Sequence, residues 1–116
     1  MRALVVEDEP HIAEALTFLL EREGFQVTVI ADGEAARGAL SGCDLLVLDV
    51  MLPGRSGFEV AAEALALDAP PKVCVLTAKG QARDRERMVG LGVHAFVTKP
   101  FSNRALMATV RSLCRP

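Results

Sequence analysis

A chain of 116 residues, 51% hydrophobic and 24% charged, has the material for one globular core and is too apolar for a disordered segment. Its 13 basic and 15 acidic side chains are interspersed for a formal charge of −2, so no polybasic footprint for nucleic acid or an anionic membrane appears. No charged leader with a long apolar segment precedes the first apolar run, and no stretch approaches a membrane span. The sequence thus predicts one cytoplasmic domain over residues 1–116 that touches neither nucleic acid nor membrane directly.

The first apolar run, Ala3-Leu-Val-Val6, gives way to Glu7-Asp8-Glu9-Pro10 and then to Ile12, Leu16, Leu19 and Leu20 at helical spacing. A strand therefore leads into an amphipathic helix, with Pro10 suited to its first turn and Gly24 to a left-handed end. Val27–Ile30, Leu45–Leu48, Val73–Leu76 and Phe96–Val97 repeat the pattern, each run followed by a helix-like segment. Lys79–Arg83 reads as a mobile polar loop before a short fourth helix that Gly92 ends, and Leu106, Val110 and Leu113 mark the fifth. Unbroken apolar runs are what strands covered on both faces of a parallel sheet require. Five such units predict a doubly wound (βα)5 α/β fold with helices on both faces. Cys43, Cys74 and Cys114 are too far apart for a zinc or redox pair and read as reduced thiols. His11 and His94 lack metal-ligating neighbours and read as surface or packing residues.

In an open parallel sheet, functional groups collect beyond the carboxyl ends of the strands, where strand order reverses. Here the first strand ends in Glu7-Asp8-Glu9, the third in Asp49, the fourth in Thr77 and the fifth in Thr98-Lys99-Pro100. Acids gathered this closely repel one another unless a cation sits among them, and an all-oxygen set suits Mg²⁺. With the Lys99 ammonium and the Thr77 hydroxyl, such an ion would clamp the oxygens of a transferring phosphoryl group, leaving the central Asp49 as the nucleophile. Each residue has a plainer explanation: Asp8 or Glu9 as a helix cap, Asp49 as a turn acid, Lys99 as a solvated charge, Thr77 as a strand-end hydroxyl. The conjunction at four strand ends is what favours a phosphoryl site.

Val5-Val-Glu-Asp-Glu-Pro10, Asp49-Val-Met-Leu-Pro-Gly54, Leu76-Thr-Ala78 and Thr98-Lys-Pro-Phe101 resemble, in order and spacing, the motifs of two-component response regulator receiver domains across essentially the whole chain. The resemblance implies a flavodoxin-like sheet of strand order 2-1-3-4-5. It implies Asp49 as phosphoacceptor, and Mg²⁺ held by Asp8, Asp49 and the Met51 carbonyl with Glu7 acting through water. It further implies phosphoryl contacts from Lys99, Thr77 and the backbone N–H groups of Met51 and Ala78, a cis bond before Pro100, and Phe96 as a switch aromatic. A fixed core phenylalanine is the other reading of Phe96. The implied protein is a phosphoacceptor switch, promoting its own phosphorylation and dephosphorylation rather than turning over a substrate. The implied partners are a sensor histidine kinase or phosphotransfer protein upstream and an effector domain or protein downstream. The output face would be the fourth helix, fifth strand and fifth helix.

Departures from the family pattern are as informative. Arg85 fits a charge position of the phosphorylation-dependent dimer seen in such receivers, but Ala95, Ala105 and Thr109 stand where its other charges belong. Met51 and Lys79 occupy the positions that tune self-dephosphorylation. A haloacid-dehalogenase-like phosphatase would need an acid at Met51, and a flavodoxin would need hydroxyls in place of the acidic loop after the first strand. A receiver kept only as a protein-interaction module would not need every chemical position filled.

Overall fold

The computed structural model describes residues 1–78 and 82–114. In chain order these form β1 (Arg2–Val6), α1 (Pro10–Arg22), β2 (Gln26–Ile30), α2 (Gly33–Ala36) running into a 3₁₀ turn (Arg37–Ala39), β3 (Leu45–Asp49), α3 (Gly57–Leu65), β4 (Lys72–Ala78), α4 (Ala82–Leu91), β5 (Ala95–Lys99) and α5 (Asn103–Cys114). The strands make one parallel sheet ordered β2-β1-β3-β4-β5. Of the loop expected at 79–83, Ala82 and Arg83 belong to α4, and residues 79–81 fall outside the described part. No helix among the described residues is long and apolar enough to cross a membrane.

Alternation along the strands divides the core in two. Ala3 and Val5, Leu45 and Val47, Cys74 and Leu76, and Val97 face α1 and α5 through Leu16, Leu20, Leu106 and Val110. Leu4 and Val6, Leu46 and Leu48, and Val73 and Val75 face the other way, onto Ala36, Val60, Ala61, Ala64 and Met88 of α2, α3 and α4. Central β3 is buried at every residue. The expectation that every apolar run is covered on both faces fails at β2. That strand is an edge, its residues are exposed or half-buried, and Val29 keeps 43% of its surface. A sheet edge has a neighbour on one side only, and Val29, level with Val5 on the α1 face, lies at the margin of that helix beside Ala13, Thr17 and Phe18.

Local chemistry sets the helix starts. Pro10 opens α1, and the Glu9 carboxylate caps it by accepting the Ile12 N–H at 2.9 Å. Ser56 caps α3, with its Oγ toward the Glu59 N–H at 3.4 Å. Gly24 and Gly92 take positive φ after α1 and α4. Cys74 is a buried free thiol in β4. His94, read from the sequence as a surface or packing residue, is exposed and also used: its Nδ1 accepts the Val73 N–H at 3.0 Å, and its own backbone N–H donates to the Val73 carbonyl at 3.0 Å.

The first residue of α3, Gly57, lies against the end of β3. A Cβ there would meet the Asp49 carbonyl oxygen at 2.4 Å and Val50 Cα at 2.8 Å. Gly90, inside α4, has nothing within 4 Å of its would-be Cβ. Gly57→Ala is therefore expected to destabilise the protein by about 2 kcal/mol or more, while Gly90→Ala stabilises it by about 0.5–1 kcal/mol. Urea unfolding of the two variants beside the parent checks the opposite signs, and equal effects would contradict the packing at Gly57.

Candidate functional site

Counting onward by twos from the apolar residues that face α1 and α5 brings Glu7 after β1, Asp49 at the end of β3 and Lys99 at the end of β5 to the same side of the rim. The structure joins all three. Lys99 Nζ lies 2.6 Å from Glu7 Oε1 and 2.9 Å from Asp49 Oδ2, its side chain passing over β4 to reach both acids. Asp49 Oδ1 faces the Met51 N–H at 3.3 Å, and Glu7 Oε2 accepts the Asp8 N–H at 3.0 Å.

Glu7 is 1% exposed and Asp49 8%. Burial, reinforced by the neighbouring Asp49, pushes the Glu7 carboxyl up to about 7 even though Lys99 pulls the other way. Burial also opposes the charge on Lys99, but its hydrogen bonds to Glu7 and Asp49 outweigh that and raise its pKa. The ammonium is thus a fixed countercharge for two desolvated acids.

Asp8 stands exposed beside this pair, because Glu9 rather than Asp8 caps α1. Oxygens of Glu7, Asp8 and Asp49 lie within 4.8 Å of one another. Three hard oxygen donors at that spacing, with no sulfur or imidazole among them, fit an ion such as Mg²⁺. Met51 has its side chain in solvent at 67% exposure, on the turn that leads from Asp49.

Thr77 belongs to the opposite face of the sheet, continuing Val73 and Val75. It is 1% exposed, and its Oγ1 finds no hydrogen-bond partner among the described residues. A buried hydroxyl left unpaired is costly and uncommon, which marks it as a group waiting for a partner. Phe96, opposite Val75 in β5, packs half-buried on the same face, with the Arg85 guanidinium 5.2 Å over its ring. Ala78 ends β4 in register with Lys99, the Lys99–Pro100 bond is cis, and Lys79 lies outside the described residues.

The geometry adds two things the sequence did not single out. Lys99 pairs with Glu7 as well as with Asp49, and the turn after Asp49 is braced by Arg55; of the two candidate caps, Glu9 is the one that caps α1. Equal parity of Glu7, Asp49 and Lys99 along their strands is a signal that could have suggested the first.

A family model described as the response regulator receiver domain matches residues 3–111. The chain is 42% identical over 114 residues to the sensory transduction protein RegX3 of Mycobacterium tuberculosis, covering 97% of this chain and 50% of that one. It is 40% identical over 120 residues to the phosphate regulon transcriptional regulatory protein PhoB of Escherichia coli, covering 98% and 52%. The chain therefore spans about half the length of these curated relatives. Among solved structures, the receiver domain of a sensor histidine kinase from Pseudomonas aeruginosa superposes with a TM-score of 0.84 at 27% identity, covering 97% of this chain and 95% of that one. That receiver has a magnesium ion coordinated in its active site cleft.

An acid whose folded pKa is raised holds a proton that the unfolded chain has already released. Glu7 therefore contributes stability that is present below about pH 4.5 and is lost as pH rises toward about 7. Glu9, Glu23 and Glu34, whose pKa values are lowered, act below that window. In chelator-containing buffer, the stability of Glu7→Gln relative to the parent should climb between these pH values. A difference that stays constant across that range in denaturant titrations would show that Glu7 ionises without cost.

Proposed function

The chain belongs to the response regulator receiver domain family, and from that membership we propose that Asp49 accepts a phosphoryl group from a phosphohistidine. An Asp49 carboxylate oxygen attacks phosphorus, the P–O bond forms as the P–N bond breaks, and the departing imidazole nitrogen takes a proton from solvent. What carries this reading is the meeting of Asp49, Asp8, Glu7 and Lys99 at one rim beside the unpaired Thr77 hydroxyl.

Glu7, Asp8, Asp49 and the Met51 carbonyl would hold Mg²⁺, with Glu7 acting through water. The ion when bound supplies neutralising charge for the phosphoryl oxygens. The approach of Lys99 Nζ to Asp49 Oδ2 supports Lys99 as the partner of one phosphoryl oxygen. Its move there leaves Glu7 to the metal side. The Thr77 hydroxyl satisfies a second oxygen, and the N–H groups of Met51 and Ala78 complete the cradle. Added charge draws Thr77 and Lys99 toward position 49, Phe96 turns into the space beside β4, and the α4–β5–α5 face changes. That change is the output, read by an effector domain or protein or by a second copy of the chain. The chain acts in the cytoplasm, and the phosphoryl donor is a sensor histidine kinase or phosphotransfer protein. The chain promotes its own phosphorylation and dephosphorylation and turns over no separate substrate.

Incubation with Mg²⁺ and acetyl phosphate should raise the mass of the parent by one phosphoryl group and leave Asp49→Asn unchanged. Labelling of both, or of neither, would end the reading. The apolar Met51 side chain, exposed at the rim, should hinder an attacking water, so the label on purified protein is expected to persist for minutes or longer. Decay within seconds would remove Met51 from that role.

A further inference from the structure

The segment from Val50 to Ser56 carries Met51 beside the acidic rim, and its far side rests on the corner between β2 and α2. The approach is made at the level of backbone. Gly33 donates its N–H to the Pro53 carbonyl at 3.0 Å, and a Cβ on Gly33 would lie 1.9 Å from the Arg55 carbonyl oxygen and 2.8 Å from its carbon. A Cβ on Gly54, at φ 78, would lie 2.4 Å from Asp32 Oδ1. That oxygen is already engaged, capping α2 by accepting the Glu34 N–H at 2.7 Å. Over the corner, Arg55 reaches Glu34 at 3.0 Å and Glu63 at 2.7 Å, tying the turn to α2 and α3 together.

Gly33 is buried and its φ is not positive, so backbone freedom does not demand glycine there. The space does. At its other ends the segment is equally confined, by Gly57 against the Asp49 carbonyl and by the Met51 N–H facing Asp49 Oδ1. Displacing the Arg55 carbonyl cannot be absorbed by sliding at Gly57 and must pass back along the turn toward Met51. Magnesium demands near-octahedral oxygens at about 2.0–2.1 Å, so shifts on the order of an ångström are not tolerated.

From this geometry we infer that Gly33 is a positioning residue for the magnesium site: the β2–α2 corner is the seat that holds the Met51 carbonyl at the rim. The inference rests on the proposed magnesium-assisted phosphoacceptor reading. It extends the site to an edge element that contributes no ligand.

Two measurements test it, and both are required to succeed. Gly33→Ala should weaken the magnesium dissociation constant at least about tenfold, as loss of an outer support typically does. Titration is done at a temperature where circular dichroism shows the variant folded. Gly38→Ala, whose Cβ would meet nothing within 4 Å, should stay within about twofold of the parent, as an unsupported surface change does. Coupling is reciprocal, so in the parent saturating Mg²⁺ should slow amide exchange at Gly33 by about threefold or more. An unchanged magnesium affinity in Gly33→Ala, or an unmoved Gly33 amide, overturns the inference. Should the variant fail to fold, the exchange measurement on the parent decides alone. If the parent itself binds no magnesium, the phosphoacceptor reading falls first and this inference with it.

Discussion

The Lys99 ammonium, held between Glu7 and Asp49, is the constraint on which the rim depends. Two carboxylates this buried and this close cannot both ionise without a cation. Lys99 supplies one from within the chain, at the end of an edge strand two places away from β3 in the sheet. It also keeps the acids preformed, since the same two hydrogen bonds that neutralise them raise its pKa and hold it protonated. A buried ion pair of this kind is weak evidence for stability, because desolvation offsets much of the attraction. What it does achieve is to hold opposite charges together at the rim in a fixed geometry.

Strand alternation divides the labour around that centre. The charged trio shares the parity of residues facing α1 and α5, whereas Thr77 and Phe96 share the parity of residues facing α3 and α4. Asp49 therefore sits between the two layers, with Lys99 on one side and, on the other, the Thr77 hydroxyl, which has no partner among the described residues.

Much of this was legible in the sequence, for reasons that are local. Short apolar runs mark buried parallel strands, Pro10 and Gly24 mark helix ends, and Glu7, Asp8, Asp49, Thr77 and Lys99 each follow such a run. The illegible part depends on which segments become neighbours. That Val29 stays exposed follows from β2 being the sheet edge, where Val29 lies at the margin of what α1 covers. That Glu7 pairs with Lys99 follows from the parity of two strands distant in sequence, and that Gly33 has no room for a methyl follows from the path of residues 53–55. Composition and periodicity carry none of that information, because register and backbone approach are set by the assembled sheet.

The layer on the α3–α4 side also explains where movement costs least. Among its described residues α4 buries Met88 alone, a flexible side chain, and its other visible ties are arginine–aromatic stacks. Arg87 lies 3.9 Å over Phe58 of α3, and Arg85 lies 5.2 Å over Phe96 of β5. Such stacks at exposed sites are worth about 0.5–1 kcal/mol each. By contrast, α1 and α5 each bury three or more residues in the opposite core and are joined to one another by Arg111 and Glu23. Among the described residues, an element anchored in the core by one methionine and stacked through two arginines fits the low-stability end of the fold. One of those two stacks involves Phe96 itself, so inward rotation of that ring would release Arg85 and loosen α4 in the same step.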